Sequence, residues 1–221
     1  MGAKKVIIFG NGQIAEVAAT YIQEDQNVEI EAFTVEKQFI DKKNFLNYPL
    51  IPFEELINIY NPENYYLFAP ISYKEMNSHR ERIYKKGKSL GYKFYSFVHK
   101  NCINYALNIG ENCFILENNV IQPFSSIGNN CIIWSGNHIG HHTTIASHTF
   151  ISSHVVISGS VKIGESSFLG VNSTIIDNIK IGEFSLVGAG TLITRDLPPK
   201  SVVIGKSSKR NEKINSLTVK L

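Results

Sequence analysis

Residues 133–157 read IWSGNHIGHHTTIASHTFISSHVVI, with isoleucine at every sixth position. The spacing continues in both directions without an insertion. Because six is a multiple of the two-residue period of a strand and not of 3.6, these side chains share one face of short strands. The pattern predicts a solenoid of hexapeptide strands that buries one aliphatic column. Its sixteen positions are Ile103, Ile109, Ile115, Ile121, Ile127, Ile133, Ile139, Ile145, Ile151, Ile157, Ile163, Leu169, Ile175, Ile181, Val187 and Ile193.

The first hundred residues follow a different pattern. Residues 5–9 (KVIIF) are typical of a buried strand, residues 13–23 have an apolar helical stripe, and strand and helix patterns alternate up to residues 93–98. This β-α-β-α-β-α-β order predicts a small parallel sheet with helices on both faces. We therefore expect an α/β domain at residues 1–100, a β-helix at 101–205 and a basic tail at 206–221.

Composition favours a cytoplasmic protein without membrane insertion. No apolar run reaches the roughly 18–20 residues of a membrane span, and the N-terminus lacks the pattern of a signal peptide. Three cysteines without a Cys-x-x-Cys pair indicate reduced thiols. We interpret two of them, Cys113 and Cys131, as core residues, since both fall four residues after a column residue, at an inward-facing position that is mostly small in this chain. Residues 195–221 carry seven basic and two acidic side chains, which favours a small polyanionic ligand over nucleic acid.

Three segments carry a family resemblance: residues 6–15 (VIIFGNGQIA), residues 135–154 (SGNHIGHHTTIASHTFISSH) and residues 187–210 (VGAGTLITRDLPPKSVVIGKSSKR). They resemble the hexapeptide-repeat sugar acyltransferases of bacteria, of the sialic acid O-acetyltransferase and nucleotide-amino-sugar N-acetyltransferase type. The resemblance implies a left-handed parallel β-helix with eighteen residues per coil. It also implies a homotrimer with CoA between subunits and acetyl-CoA as co-substrate, with no metal.

Five of the seven histidines lie between residues 138 and 154 at positions outside the column: His138, His141, His142, His148 and His154. Imidazole is a neutral base suited to removing a proton during acyl transfer. His141 matches the family's catalytic histidine. Eighteen residues further on is Gly159, which therefore stacks beside His141 about 4.8 Å away. The resemblance gives the Gly159 N–H the role of stabilising the oxyanion.

We also include His142 in this catalytic site. Many relatives have an acidic residue at this position. His148 and His154 share no column with His141, and we expect contacts to substrate or a subunit interface without ranking them. Near the C-terminus the resemblance assigns binding of the CoA pantetheine and phosphates to Gly188, Gly190, Gly205, Lys206, Lys209 and Arg210, in addition to Gly159. Ordinary hexad turns would explain Gly188 and Gly190 equally well.

The segment Gly10-Asn11-Gly12-Gln13-Ile14-Ala15 fits G-x-G-x-x-A between a strand and a helix, which is a weak dinucleotide fingerprint on its own. The phosphates of a nucleotide sugar would lie at the helix N-terminus. Relatives place an acidic residue on the nucleoside, and we favour Glu36 over Glu31. Tyr73 and Lys74 follow the third strand and are further candidates for this crevice.

These features predict an acetyl-CoA-dependent N-acetyltransferase acting on a nucleotide-linked amino sugar, a 4-amino-4,6-dideoxyhexose, in lipopolysaccharide or capsule biosynthesis. Three alternatives stay open, and a fourth, a dehydrogenase, is disfavoured. One is O-acetylation of sialic acid, and another is a zinc enzyme like the γ-carbonic anhydrases, with interfacial histidine ligands. A dehydrogenase would leave the solenoid without a purpose, and a non-enzymatic sugar-nucleotide-binding protein would show no acetyl-CoA turnover.

Overall fold

A computed structural model describes residues 3–24 and 27–206. Residues 4–94 form a six-stranded sheet with three α-helices. The strands are β1 (Lys4–Phe9), β2 (Val28–Val35), β3 (Asn44–Phe45), β4 (Tyr48–Pro52), β5 (Tyr66–Phe68) and β6 (Lys93–Phe94). The helices are α1 (Gln13–Gln23), α2 (Leu56–Ile59) and α3 (Ser78–Ser89), with 3-10 turns at Lys37–Phe39 and Phe53–Glu55.

The strand order is β3-β4-β2-β1-β5-β6, and every pair is parallel except β3 and β4, which form an antiparallel hairpin. The sheet is therefore parallel, as predicted, apart from this antiparallel hairpin at one edge. The helical sequence pattern covers residues 73–90, but α3 begins only at Ser78, because Glu75, Met76 and Asn77 have left-handed backbone conformations. The strand expected over residues 93–98 divides into two, and its second part, Phe97–Val98, joins the β-helix.

Side chains of β1 alternate between two apolar layers, as a strand buried on both faces requires. Val6 and Ile8 pack with α1 and with the β-helix, whereas Ile7 and Phe9 pack with α2 and α3. Helices therefore lie on both faces of the sheet, as predicted.

Residues 97–203 form a left-handed parallel β-helix with three sheets. Sheet I contains Phe97–Val98, Phe114–Ile115, Ile132–Ile133, Phe150–Ile151, Phe168–Leu169, Leu186–Val187 and Val202–Val203. Sheet II contains Ile103–Asn104, Val120–Ile121, His138–Ile139, Val156–Ile157, Thr174–Ile175 and Leu192–Ile193. Sheet III contains Asn108–Ile109, Ser126–Ile127, Thr144–Ile145, Lys162–Ile163 and Lys180–Ile181.

The predicted aliphatic column is the core of the β-helix from Ile115 to Ile193, with Ile109 packed against it. Ile103 is the exception. Asn104, not Ile103, pairs with Ile121, so the first coil is one residue shorter than those that follow. Ile103 consequently points outward and is 54% exposed. Its place in the predicted column was wrong.

In the fourteen hexads from Ile109 to Val187, the turn residue three positions after the column residue has a positive φ. Asparagine, histidine and glycine tolerate this conformation better than most residues do. It is occupied by Asn112, Asn118, Phe124, Asn130, Gly136, His142, His148, His154, Ser160, Ser166, Asn172, Asn178, Phe184 and Gly190. Three of the five clustered histidines therefore satisfy a backbone requirement.

The α/β part packs on the outer face of sheet I through Phe114, Ile132 and Phe150. Arg80 of α3 is fully buried, and its guanidinium donates to the carbonyl oxygens of Asn130 (3.1 Å) and His148 (2.8 Å) in the β-helix. It also donates to three further carbonyls, of Ile71, Ser72 and Thr149. None of the helices in the described part of the chain is long and apolar enough to span a bilayer.

Candidate active site

His141 lies at the edge between sheets II and III, in the turn that follows His138–Ile139. Its imidazole covers Gly159 of the next coil. A Cβ added at Gly159 would lie 2.6 Å from Cε1 and 2.8 Å from Nε2 of His141, so no other residue fits there without displacing the ring. The structure thus brings together the two residues that the eighteen-residue coil predicted as neighbours.

The backbone of this edge leaves the Gly159 N–H free as a donor. Within the described residues, the Gly159 N–H makes no hydrogen bond, while the Gly159 carbonyl accepts from the Asn178 N–H at 3.0 Å. The His141 N–H donates to Oε1 of Gln122 at 2.9 Å, and the His141 carbonyl accepts from the Ser160 N–H. A free N–H beside an exposed imidazole can stabilise an oxyanion that forms next to a base.

His142 lies against His141. Their Nδ1 atoms are 3.0 Å apart, and the ring of His142 packs on Phe124 with centroids 4.8 Å apart and planes inclined by 31°. Both histidines are exposed.

The other clustered histidines lie elsewhere. His148 is buried between the β-helix and α3, where its Nδ1 is 2.7 Å from Nδ2 of Asn130. Burial lowers the pKa of His148 to about 4, so it is neutral at pH 7. His154 is exposed and covers Gly136 at the edge between sheets I and II, and His138 is half-buried on the outer face of sheet II. His148 therefore contacts neither solvent nor His141's edge.

The residues expected to hold CoA fall on two edges. Gly159 is at the edge between sheets II and III, whereas Gly188, Gly190, Gly205 and Lys206 follow strands of sheet I at the edge next to sheet II. The two groups flank the outer face of sheet II. Lys209 and Arg210 lie outside the described residues.

A crevice of about 420 Å³ opens at the carboxyl ends of β1, β2 and β5. Gly10, Asn11, Gly12 and Gln13 line it together with Glu36 and Lys74. This is the point where the strand order reverses around β1, which is where open α/β sheets bind ligands. In the described part of the chain the N–H groups of Gly12, Gln13 and Ile14 donate to no acceptor, so the start of α1 offers free donors to an anion.

Gly10 and Gly12 of the fingerprint differ in the structural reason for having no side chain. Gly10 has φ +132°, a conformation that disfavours any side chain. Gly12 has φ −123°, and a Cβ added there would meet nothing within 4 Å. Neither the backbone conformation nor packing within the chain requires glycine at position 12. The absence of a side chain there is consistent with close approach of a ligand to the backbone.

Two crevice residues were missed by sequence reasoning. Nε2 of His79 is 3.6 Å from Oε2 of Glu36, and it is buried without a hydrogen-bond partner in the described residues. Burial and nearby Arg82 lower the pKa of His79. Phe39 lies on the rim, is 52% exposed, and accepts a hydrogen bond at its carbonyl from Asn11. Only the folded chain brings these residues to Gly10, and no local motif marks them.

Tyr73 lies away from the crevice. Its ring packs against Phe150 and Phe168 of sheet I, with centroids 5.0 and 4.6 Å apart. Through these contacts Tyr73 packs the loop before α3 against the β-helix.

The crevice and His141 occupy opposite sides of the molecule. The α/β part covers the outer face of sheet I, and His141 lies on the edge between the other two sheets of a three-sided prism. That edge is the one farthest from sheet I.

The described residues contain no group of three histidine, cysteine, aspartate or glutamate side chains placed to hold a metal ion. Cys113 and Cys131 are fully buried in the column, and the prediction that they are core residues is confirmed.

Residues 107–140, 124–159 and 160–195 match the family model of the bacterial transferase hexapeptide, six repeats. All three matches lie within the β-helix. These hexapeptides form most of the three sheets described above. No curated protein matches the chain significantly in sequence.

Solved structures share the fold of both parts of the chain. A histidine-to-asparagine variant of perosamine N-acetyltransferase from Caulobacter crescentus, in complex with CoA and GDP-perosamine, is 23% identical, with a TM-score of 0.81 over 91% of this chain and 93% of that one. The acetyltransferase domain of PglB from Neisseria gonorrhoeae is 21% identical, with a TM-score of 0.81 over 91% and 97%. WeeI from Acinetobacter baumannii is 15% identical, with a TM-score of 0.80 over 92% and 97%. At these identities the likeness is one of fold.

Proposed function

We propose that this protein is an acetyl-CoA-dependent N-acetyltransferase that acts on a nucleotide-linked amino sugar. The observation that carries the proposal is the contact between His141 and Gly159, which places a base beside a free backbone donor. The likeness to perosamine N-acetyltransferase, which is seen with CoA and GDP-perosamine, supports the choice of substrates. The pathway we favour is lipopolysaccharide or capsule synthesis from a 4-amino-4,6-dideoxyhexose, in the cytoplasm.

The reaction needs one base and one oxyanion donor. The sugar amine attacks the carbonyl carbon of the thioester, and His141 accepts the amine proton. The Gly159 N–H stabilises the negative charge on the carbonyl oxygen. The C–S bond then breaks, an amide remains on the sugar, and the proton passes to the CoA thiolate. Loss of one such oxyanion donor costs on the order of 10²–10³ in rate in other enzymes.

The crevice fits the nucleotide part of the substrate. The diphosphate would bind the free N–H groups at the start of α1, with Lys74 adding positive charge. Glu36 follows β2, where an acidic residue accepts hydrogen bonds from ribose hydroxyls in dinucleotide-binding folds. The exposed ring of Phe39 supplies a surface on which a base can stack.

A homotrimer would bring the two parts of the site together. Because the crevice and His141 lie on opposite sides of one chain, a sugar bound in the crevice would reach the His141 edge of a neighbouring copy. The outer face of sheet II supports such contacts, since it presents Val156 (41% exposed) and Leu192 (60% exposed) next to His141's edge. Gly188, Gly190, Gly205 and Lys206 would hold CoA across that face, together with Gly159.

The test is release of free CoA thiol from acetyl-CoA in the presence of a panel of nucleotide-linked amino sugars, with His141→Ala as the paired variant. We expect turnover with one amino sugar and a loss of on the order of 10²–10⁴ in kcat for the variant, the usual contribution of a general base. Turnover with sialic acid alone would replace N-acetylation by O-acetylation. No turnover with either acceptor, together with zinc retained after dialysis, would favour the metalloenzyme, whose ligands would have to come from two copies.

A further inference from the structure

The contact between His141 and His142 distinguishes this site. Where many relatives of this type have an acidic residue after the histidine, this chain has a second imidazole, and the two Nδ1 atoms are 3.0 Å apart. At that distance the two nitrogens form a hydrogen bond. One Nδ1 therefore carries the hydrogen and donates it, and the other Nδ1 accepts it. The ring of His141 lies over Gly159, with Nε2 at 2.8 Å and Nδ1 at 3.1 Å from a Cβ built on that glycine.

We propose that His142 is a positioning residue that accepts a hydrogen bond from Nδ1–H of His141 and so leaves Nε2 of His141 as the base. A neutral imidazole holds one hydrogen, and the hydrogen bond made by one nitrogen decides the state of the other. With the hydrogen fixed on Nδ1, Nε2 keeps its lone pair free to accept the amine proton, and Nε2 is the ring nitrogen nearer to a Cβ built on Gly159. This role rests on the proposed acetyl transfer, in which His141 is the base.

The surroundings hold His142 in place for this role. Its backbone has φ 58°, the turn conformation shared by every coil, and its ring is packed against Phe124. On the other side, Gln122 Oε1 accepts from the His141 N–H and fixes the backbone of the base. No ion pair involves His141 or His142 in the part of the chain that the structure describes. An imidazole acceptor thus takes the place of a carboxylate and adds no negative charge beside His141.

Three variants separate the acceptor from the ring. His142→Phe keeps an aromatic ring at a turn where Phe124 and Phe184 show that phenylalanine fits, but it removes both nitrogens. His142→Glu provides an anionic acceptor. Asn118→Phe places the same ring at an exposed turn of the same conformation outside the site and controls for a general effect of the substitution.

The readouts are kcat, KM for the amino sugar, and the tautomer of His141 from nitrogen NMR of full-length protein labelled at histidine, with signals assigned through His141→Ala. We expect His142→Phe to lower kcat by on the order of 10²-fold with KM unchanged, within the range of a general-base contribution. We expect His141 to change from the Nδ1–H to the Nε2–H tautomer, and His142→Glu to recover most of the lost kcat. Asn118→Phe should match the unmodified protein.

An Nε2–H tautomer of His141 in the unmodified protein, or an unchanged kcat in His142→Phe, would overturn the inference. If the unmodified protein acetylates no amino sugar, the proposed function fails, and the NMR measurement still decides whether His142 accepts from His141.

Discussion

The residues around His141 show how one repeat can serve both fold and chemistry. The hexad determines that residue 142 needs a turn conformation that asparagine, glycine and histidine tolerate. Histidine at this turn meets the backbone requirement and also places a nitrogen 3.0 Å from the neighbouring imidazole. The pairing of His141 with Gly159 was predictable because a strict eighteen-residue coil fixes which side chains are neighbours.

The buried His148 gives a prediction for pH. Its pKa is lowered from 6.5 to about 4 by burial, so between these values the unfolded chain binds a proton that the folded chain does not. The free energy of unfolding therefore falls as pH decreases from about 6.5 to 4. Asparagine fits this turn, because Asn130 occupies the equivalent turn one coil earlier. We therefore expect His148→Asn to fold and to lose less free energy of unfolding than the unmodified protein between pH 6.5 and 4. Denaturant unfolding at several pH values across this range measures the difference.

The exposed His154 provides the control, because it has the same turn conformation. His154→Asn should leave the pH dependence of stability as it is in the unmodified protein. If His148→Asn and His154→Asn gave the same curve as the unmodified protein, His148 would not be the group that titrates.

At the scale of elements, α3 joins the two parts of the chain. Five carbonyl oxygens accept from the single guanidinium of Arg80, and burial lowers its pKa to about 10. Hydrogen bonds to a charged group contribute about 1.5–3 kcal/mol each and are not additive. We expect Arg80→Met, which keeps the stem and removes the guanidinium, to lower the free energy of unfolding by about 3 kcal/mol.

Thermal unfolding checks this value, since about 3 kcal/mol corresponds to a fall of roughly 6–12 °C in Tm for a chain of this size. Arg82→Met, two residues away on the same helix and exposed, should change Tm little. A Tm for Arg80→Met within a degree of that of Arg82→Met would mean that the buried guanidinium does not hold α3 to the β-helix.

The elements also show where sequence reasoning succeeds and fails. A six-residue period with apolar, small and turn positions predicts nearly every strand of the β-helix, because each hexad meets the same local requirement. The slip at Ile103 escaped prediction, since Ile103 keeps the period while the first coil is one residue short. The hairpin of β3 and β4 has two- and five-residue strands without clear alternation, and it forms because it extends an existing sheet.

At the scale of the whole molecule, the arrangement of the two parts was not predictable. Nothing in the local patterns indicates that the α/β part covers sheet I, or that Phe39 and His79 lie beside Gly10. These contacts depend on packing between segments far apart in the sequence. The same packing decides that the crevice and His141 face away from each other within one chain, which is why we expect a shared site.

Mixing two inactive variants tests most directly whether the crevice and the His141 edge act on one substrate. Gly12→Val should fold, because a Cβ there meets no atom within 4 Å and the backbone is extended, and it should block the start of α1 where phosphate would bind. His141→Ala keeps the crevice and lacks the base. Each variant alone should be inactive in acetyl transfer to a nucleotide-linked amino sugar.

Chains of the two variants, unfolded and refolded together in equal amounts, should regain about one quarter of the unmodified rate. Random assembly places an intact crevice beside an intact His141 of a neighbouring copy at that frequency. A mixture as inactive as its components, formed from variants that assemble together, would contradict a site shared between copies.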